Sequence, residues 1–205
     1  MGSRMNVPYD CGIFLSTSPS LLRSVLGPGS VVPTYLSTNT TDTTGQSLID
    51  EYRSIPSPLF SNIENSRRFR ALPVYASLIS LGRDGLAEMI VRNISFARTV
   101  ETWMRFSPFY DILTPPPTPA PTPSSYKVLN IVLFAPSSLA PTRFQGPGGA
   151  ALLCQSINAS KECYVTGTTW RGRGGIRLAV SNWDTRVERD WEIVRRVLER
   201  AMEEE

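Results

Sequence analysis

The longest helical periodicity opens on the stretch from Asn65 to Gly85. Phe69, Leu72, Ala76 and Ile79 recur three or four residues apart, so they share one face, and Tyr75 and Leu78 widen it. Pro73 has no N–H to donate and is expected to kink the helix or restart it. Gly82 stands where a left-handed C-cap would end it. Asp84 then caps a second helix reaching about Phe106. Its stripe is Leu86, Met89, Ile90, Ile94, Ala97, Val100, Trp103 and Met104, a pattern of core packing rather than of a cofactor site.

After Phe106 the period shortens. Strands are predicted over Tyr110–Leu113, Lys127–Phe134, Glu162–Thr166 and Gly175–Ser181. In the last, Ile176, Leu178 and Val180 alternate against Arg177, Ala179 and Ser181. Gly146-Pro147-Gly148-Gly149 leads into a helix with Ala150, Leu153, Cys154 and Ile157 on one face; these glycines lack the preceding strand of a phosphate-binding loop. Thr168–Gly175 holds an arginine-glycine run, read as a hairpin loop rather than an RNA-binding segment. The final helix is expected to start on a capping box of Thr185 and Glu188. It would bury Val187, Trp191, Val194, Leu198 and Ala201, pair Glu192 with Arg196, and fray at Glu203–Glu205. The second half therefore predicts an α+β module, an antiparallel sheet with helices on one face.

The first third is less regular. Asn6–Gly12 is turn-like, Cys11–Leu15 has the length of a buried strand, and Pro19–Leu26 that of a short helix, as in an interrupted piece of an α/β domain. Ser37–Ser61 is polar and long enough to be either an active-site lid or a surface excursion. The run Pro115–Pro123 reads as a solvated polyproline insertion rather than an SH3-type ligand.

Composition narrows the chemistry. Of 205 residues none is histidine, which excludes Ser–His and Cys–His nucleophile pairs, a histidine base and histidine metal ligands within this chain. No metal site is expected. The three cysteines are odd in number and lack ligand spacing, which reads as reduced thiols in a cytoplasmic protein. The net charge of +3 is spread along the chain, so no nucleic-acid partner is implied; no apolar run is long enough to cross a membrane. The arginines at 67, 68 and 70 crowd a helix N-terminus, where the dipole favours anions. Either an acidic group lies nearby or this is a solvated basic end.

Three segments in series resemble the group II pyridoxal-phosphate-dependent amino-acid decarboxylases, the family of the aromatic-amino-acid and glutamate enzymes. Asn6-Val-Pro-Tyr-Asp-Cys-Gly12 looks like the segment after the family's cofactor lysine. Ser66-Arg-Arg-Phe-Arg-Ala-Leu-Pro-Val-Tyr-Ala-Ser-Leu-Ile-Ser-Leu-Gly82 looks like its interdomain helix. Thr168-Thr-Trp-Arg-Gly172 to Ser181-Asn-Trp183 is similar to its closing strands. The match runs from about Asn6 to Ala201 without the proline run.

The resemblance implies an α/β fold of the type I pyridoxal-phosphate transferase kind, truncated. Residues 1–64 would be a remnant of the large domain with a mobile loop at about 37–61. Residues 65–85 would form the interdomain helix, and residues 86–205 the small domain with its insertion at 115–123. It implies pyridoxal 5'-phosphate and an amino-acid substrate for the family. It also implies Tyr52 as loop proton donor, Arg67 and Arg68 as the basic pair near cofactor and substrate carboxylate, and Tyr9, Asp10 and Cys11 beside the lysine. The family's His-Lys pair falls, counting back without gaps, on Gly2 and Ser3, and a hydroxyl forms no Schiff base. The chain alone is therefore expected to be inactive and not to bind the cofactor by itself. It would be a homodimer or the partner of a full-length homologue, and the alternative is a non-catalytic interaction protein.

Overall fold

The structure is a computed structural model and describes residues 7–13, 15, 17, 18, 21, 25, 68–114 and 129–203. The loop at 37–61 and the proline run lie outside them. The chain divides into two compact units, Met1–Tyr9 with Leu72–Glu205 and Asp10–Ala71.

The larger unit is built on a four-stranded sheet. Its strands are β1 (Tyr110–Ile112), β2 (Ile131–Pro136), β3 (Thr166–Trp170) and β4 (Arg173–Ala179). They lie in the order β1-β2-β4-β3, every neighbouring pair antiparallel. The register sets Val132 opposite Leu178 and Phe134 opposite Ile176. All four side chains are buried, on the face shared with three helices: α1 (Ala71–Phe106), α2 (Gly149–Ala159) and α3 (Val187–Met202). Val100, Met104, Leu153, Ile157 and Leu198 meet them in one core, each such side chain stabilising by roughly 1.5–3 kcal/mol. Tyr110 stands edge-on to Phe134, and its hydroxyl donates to the Leu198 carbonyl at 2.8 Å, tying β1 to α3. Trp103 joins Tyr110 to Trp191. The predicted α+β module is present, with the predicted faces of α2 and α3 inward.

Several local expectations need correction. Helix α1 starts at Ala71, so Pro73 sits in the first turn, where its missing N–H has no intrahelical partner to lose. The break comes at Gly82 alone, and it is not a left-handed cap: φ is 61° but ψ is −172°, an extended conformation open essentially to glycine. Beyond it the buried side is Met89, Asn93, Phe96, Ala97, Val100 and Met104, while Ile90 faces outward. Before it, Leu72, Tyr75 and Ile79 are exposed and Val74 is the buried residue. Periodicity finds an apolar stripe without saying what covers it.

The expected loop at 168–175 shrinks to Arg171 and Gly172, both with positive φ (49° and 80°). That sign at both central residues is what a two-residue hairpin turn requires. The rest of the segment is strand. No capping box opens α3. Thr185 donates its hydroxyl to the Asn182 carbonyl, and Asp190 accepts from the Arg186 N–H at 2.9 Å. Arg196 pairs with Glu162 at 2.5 Å instead of Glu192. At the far end Arg143 donates to the Ala201 and Glu203 carbonyls, capping α3 from outside.

In the smaller unit, Leu21 and Val25 are helical, as expected of that stretch. The strand expected over 11–15 is absent at its described residues, where Ile13 and Leu15 are exposed.

Candidate anion-binding site

The smaller unit carries the arginine cluster that the sequence singles out. Ahead of α1 the Arg70 N–H donates to the Arg68 carbonyl at 2.8 Å, closing a three-residue turn over Arg68-Phe69-Arg70. The turn sets two guanidinium groups around one carboxylate. Arg68 Nη1 lies 3.7 Å from Asp10 Oδ2, and Arg70 Nε lies 3.4 Å from the same oxygen. Asp10 reaches them from the bend after Pro8, a residue that pre-sets such a bend. Arg68 and Arg70 therefore precede the helix rather than burden its first turn, and Asp10 is an acid beside them. Residues 10–12 and 68–71 line a cleft of about 320 Å³.

The side chains remain accessible: that of Arg68 is 73% exposed and that of Asp10 43%. Ion pairs this open contribute about 0–1 kcal/mol each. Two planar cations in an open cleft suit an oxyanion. Cys11 lines the same cleft. Among the described lining residues there is no lysine. Of the chain's two lysines, Lys161 stands exposed in the turn after α2, with φ at 58°, and Lys127 lies outside the described residues. The cleft thus suits an oxyanion, and its described lining residues offer no amine.

Of the other residues implied by the resemblance, Ser3, Tyr52 and Arg67 lie outside the described residues, while Tyr9 is exposed. Sequence reasoning had no role for Arg70. Its signal was Pro73: a proline belongs in a first turn, so the helix begins late enough to leave Arg70 in the preceding turn.

A larger hollow, about 480 Å³, opens in the other unit between β1, β4 and the start of α2. Most of its polar side chains are engaged. Ser137 donates to the Pro108 carbonyl, Gln145 to the Ser137 and Ala140 carbonyls, and Arg173 to Asp111 at 2.6 Å and to the Pro136 carbonyl. Gly149 is there because a Cβ would fall 1.7 Å from the Phe144 carbonyl oxygen. This is a folded corner, and the greater volume does not make it the better site. Among the described residues no three potential metal ligands come together, and no helix is long and apolar enough to cross a membrane.

No protein-family model and no curated protein sequence matches the chain. Solved structures do. Oryza sativa TDC with PLP and tryptamine matches at 19% identity and a TM-score of 0.60, over 84% of this chain and 33% of that one. Catharanthus roseus tryptophan decarboxylase in complex with L-tryptophan matches at 22% and 0.53, over 70% and 29%. Rhodiola rosea 4-hydroxyphenylacetaldehyde synthase matches at 21% and 0.53, over 73% and 30%. The chain has the fold of part of these proteins and spans about a third of their length.

Proposed function

We propose that this chain descends from the pyridoxal-phosphate-dependent amino-acid decarboxylases and corresponds to the C-terminal part of such a carbon–carbon lyase. The likeness of fold over 84% of the chain is the observation that carries the reading. The three sequence segments, found in the family's order, support it independently. In this reading Arg68, with Arg67, faces the phosphate or the substrate carboxylate, and Tyr52 is the loop proton donor. The cofactor, when bound, supplies the electron sink for decarboxylation; this chain's contribution is to hold an anion.

By itself the chain is inactive in this reading, because a serine stands at position 3 where the family has its lysine. The test is to mix the purified protein with pyridoxal phosphate, reduce with borohydride and map adducts by mass spectrometry, while assaying amino acids for released carbon dioxide. No specific adduct and no carbon dioxide is the expected result. One modified lysine together with turnover overturns it.

A second reading is a non-catalytic partner of a longer homologue. It is favoured by the exposed apolar face of Leu72, Tyr75 and Ile79. The occupant would be the body of a longer chain of the same fold, of which this one spans a third.

A further inference from the structure

We infer that the outer edge of β3 is an interface for a second copy of this chain, whose own β3 pairs with it antiparallel about a twofold axis at Thr168. The inference goes beyond the reading above: it needs neither the cofactor nor the family, and its failure leaves both untouched.

The two edges of the sheet differ. β1 is three residues long, bears Asp111 and is flanked in sequence by Pro108 and Pro115. A short strand, a charge and prolines are what blunt an edge against pairing. β3 has none of these. From Cys163 to Trp170 there is no charged residue and no proline, and Thr166–Trp170 is five residues of Thr, Gly and Trp.

The hairpin decides which backbone groups face outward. Its two-residue turn makes Trp170 and Arg173 a hydrogen-bonded pair. By alternation Thr168 and Thr166 also bond to β4, and the N–H and C=O groups of Val165, Gly167 and Thr169 point to the open side. At Val165 that side is filled from α2. The Asn158 carboxamide accepts from the Val165 N–H at 2.8 Å and donates to its carbonyl at 2.9 Å, as a further strand would. Cys154, also on α2, sets its sulfur before the Gly167 N–H, and sulfur is a weak acceptor. Among the described residues nothing takes up the outward groups of Thr169, and both Gly167 and Thr169 are exposed.

A second β3 fits this edge in the register centred on Thr168. Gly167 of each copy then exchanges N–H···O bonds with Thr169 of the other. On the sheet face away from the helices, Thr168 meets Thr168, and Trp170, 37% exposed, meets Thr166. Threonine–threonine and aromatic–β-branched pairs are the kind that stabilise neighbouring strands. On the other face Thr169 stands across from Gly167, where even a Cβ would meet nothing within 4 Å. The strand carries no charge, so the twofold brings no like charges together. Asn158 closes the edge at one end of the pairing and the Arg171–Gly172 turn ends it at the other. The blunted β1 edge then stops growth at a closed dimer.

The experiment is sedimentation velocity of the full chain from about 10 µM to about 1 mM, because an interface this short lies at the weak end of specific contacts. A monomer–dimer equilibrium is the expected result. Thr169→Pro removes an N–H that β4 does not use. It should keep the wild-type circular dichroism and weaken the dimer at least about tenfold, the equivalent of the hydrogen bonds lost across the axis. Thr168→Lys and Thr168→Glu each set like charges face to face and should be monomeric alone, while their equimolar mixture should restore the dimer. A wild type that stays monomeric throughout overturns the proposal, as does a dimer that Thr169→Pro leaves intact, which would belong to another surface. Should Thr169→Pro fail to fold, the charged variants decide: a mixture that does not reassociate overturns the proposal, and one that does supports an axis at Thr168.

Discussion

At the residue scale the most informative side chain outside the cleft is Asn93. It is 2% exposed on the buried side of α1, and neither its Oδ1 nor its Nδ2 has a partner among the described residues. An unmet buried polar group costs about 1–3 kcal/mol. Asn93→Leu keeps the heavy-atom branching and removes both unmet groups, so where the slightly bulkier methyls are accommodated it should stabilise the protein by up to roughly that amount, read as a rise in the urea midpoint at constant slope. Cys163 gives a pH-dependent counterpart. Burial first, and the Glu162 carboxylate second, push its thiol up to about 11. Glu162 in turn pairs with Arg196 and Arg200. Above the ordinary thiol value near 9, an unfolded Cys163 loses its proton while the folded one holds it. The native state then binds more protons, so this contribution is complete below pH 9 and is lost as pH rises towards 11. Cys163→Ser should flatten that decline relative to the wild type. Urea midpoints at pH 8 and 10.5 for both proteins give the comparison; Tyr110 is held above its usual range by burial first and by Cys163 second, so the variant removes that second share as well and flattens the decline in the same direction.

Among the elements, Gly82 decides the shape of α1. With φ 61° and ψ −172° it occupies a conformation that costs any residue with a Cβ about 1–3 kcal/mol. A Cβ there meets nothing within 4 Å, so the cost of Gly82→Ala is backbone strain alone. The expected result is a loss of stability in that range, with either a shift towards one straight helix or a frayed first half, and hydrogen exchange of residues 71–81 distinguishes the two. The sequence was most readable where pattern and packing coincide. Ile176, Leu178 and Val180 alternate and are buried, and α2 and α3 turn the predicted faces inward. It was least readable where local chemistry competes. Thr185 had the spacing of a capping box but donates backwards to Asn182, and Asp190 takes the open N–H instead. In α1 the stripe was right at Met89, Ala97, Val100 and Met104, but it took in the exposed Ile90 and missed Phe96 and the polar Asn93, which no apolar pattern would pick. The arginine site was half visible: Arg68 came from the motif, but its partner Asp10 lies 58 positions earlier, a pairing that no local pattern encodes.

For the whole molecule, the fold constrains the reaction less than it constrains the architecture. A tryptophan decarboxylase and a 4-hydroxyphenylacetaldehyde synthase resemble this chain equally well, at TM-scores of 0.53, so chemistry has to be argued from side chains. What the fold does leave is an unmatched surface. Leu72, Tyr75 and Ile79 recur at helical spacing and are 51%, 61% and 68% exposed, whereas residues in such a register are usually covered. If a longer chain of the same fold covers them, that pairing is hydrophobic and needs no cofactor. Tyr75→Lys with Ile79→Glu should then abolish co-purification with a full-length homologue expressed alongside. Because both positions are exposed, the double variant should keep the far-UV circular dichroism and the melting temperature of the wild type. Loss of pairing with an unchanged fold assigns the face to the partner. Retained pairing moves the interface elsewhere and leaves the exposed stripe without a role in it.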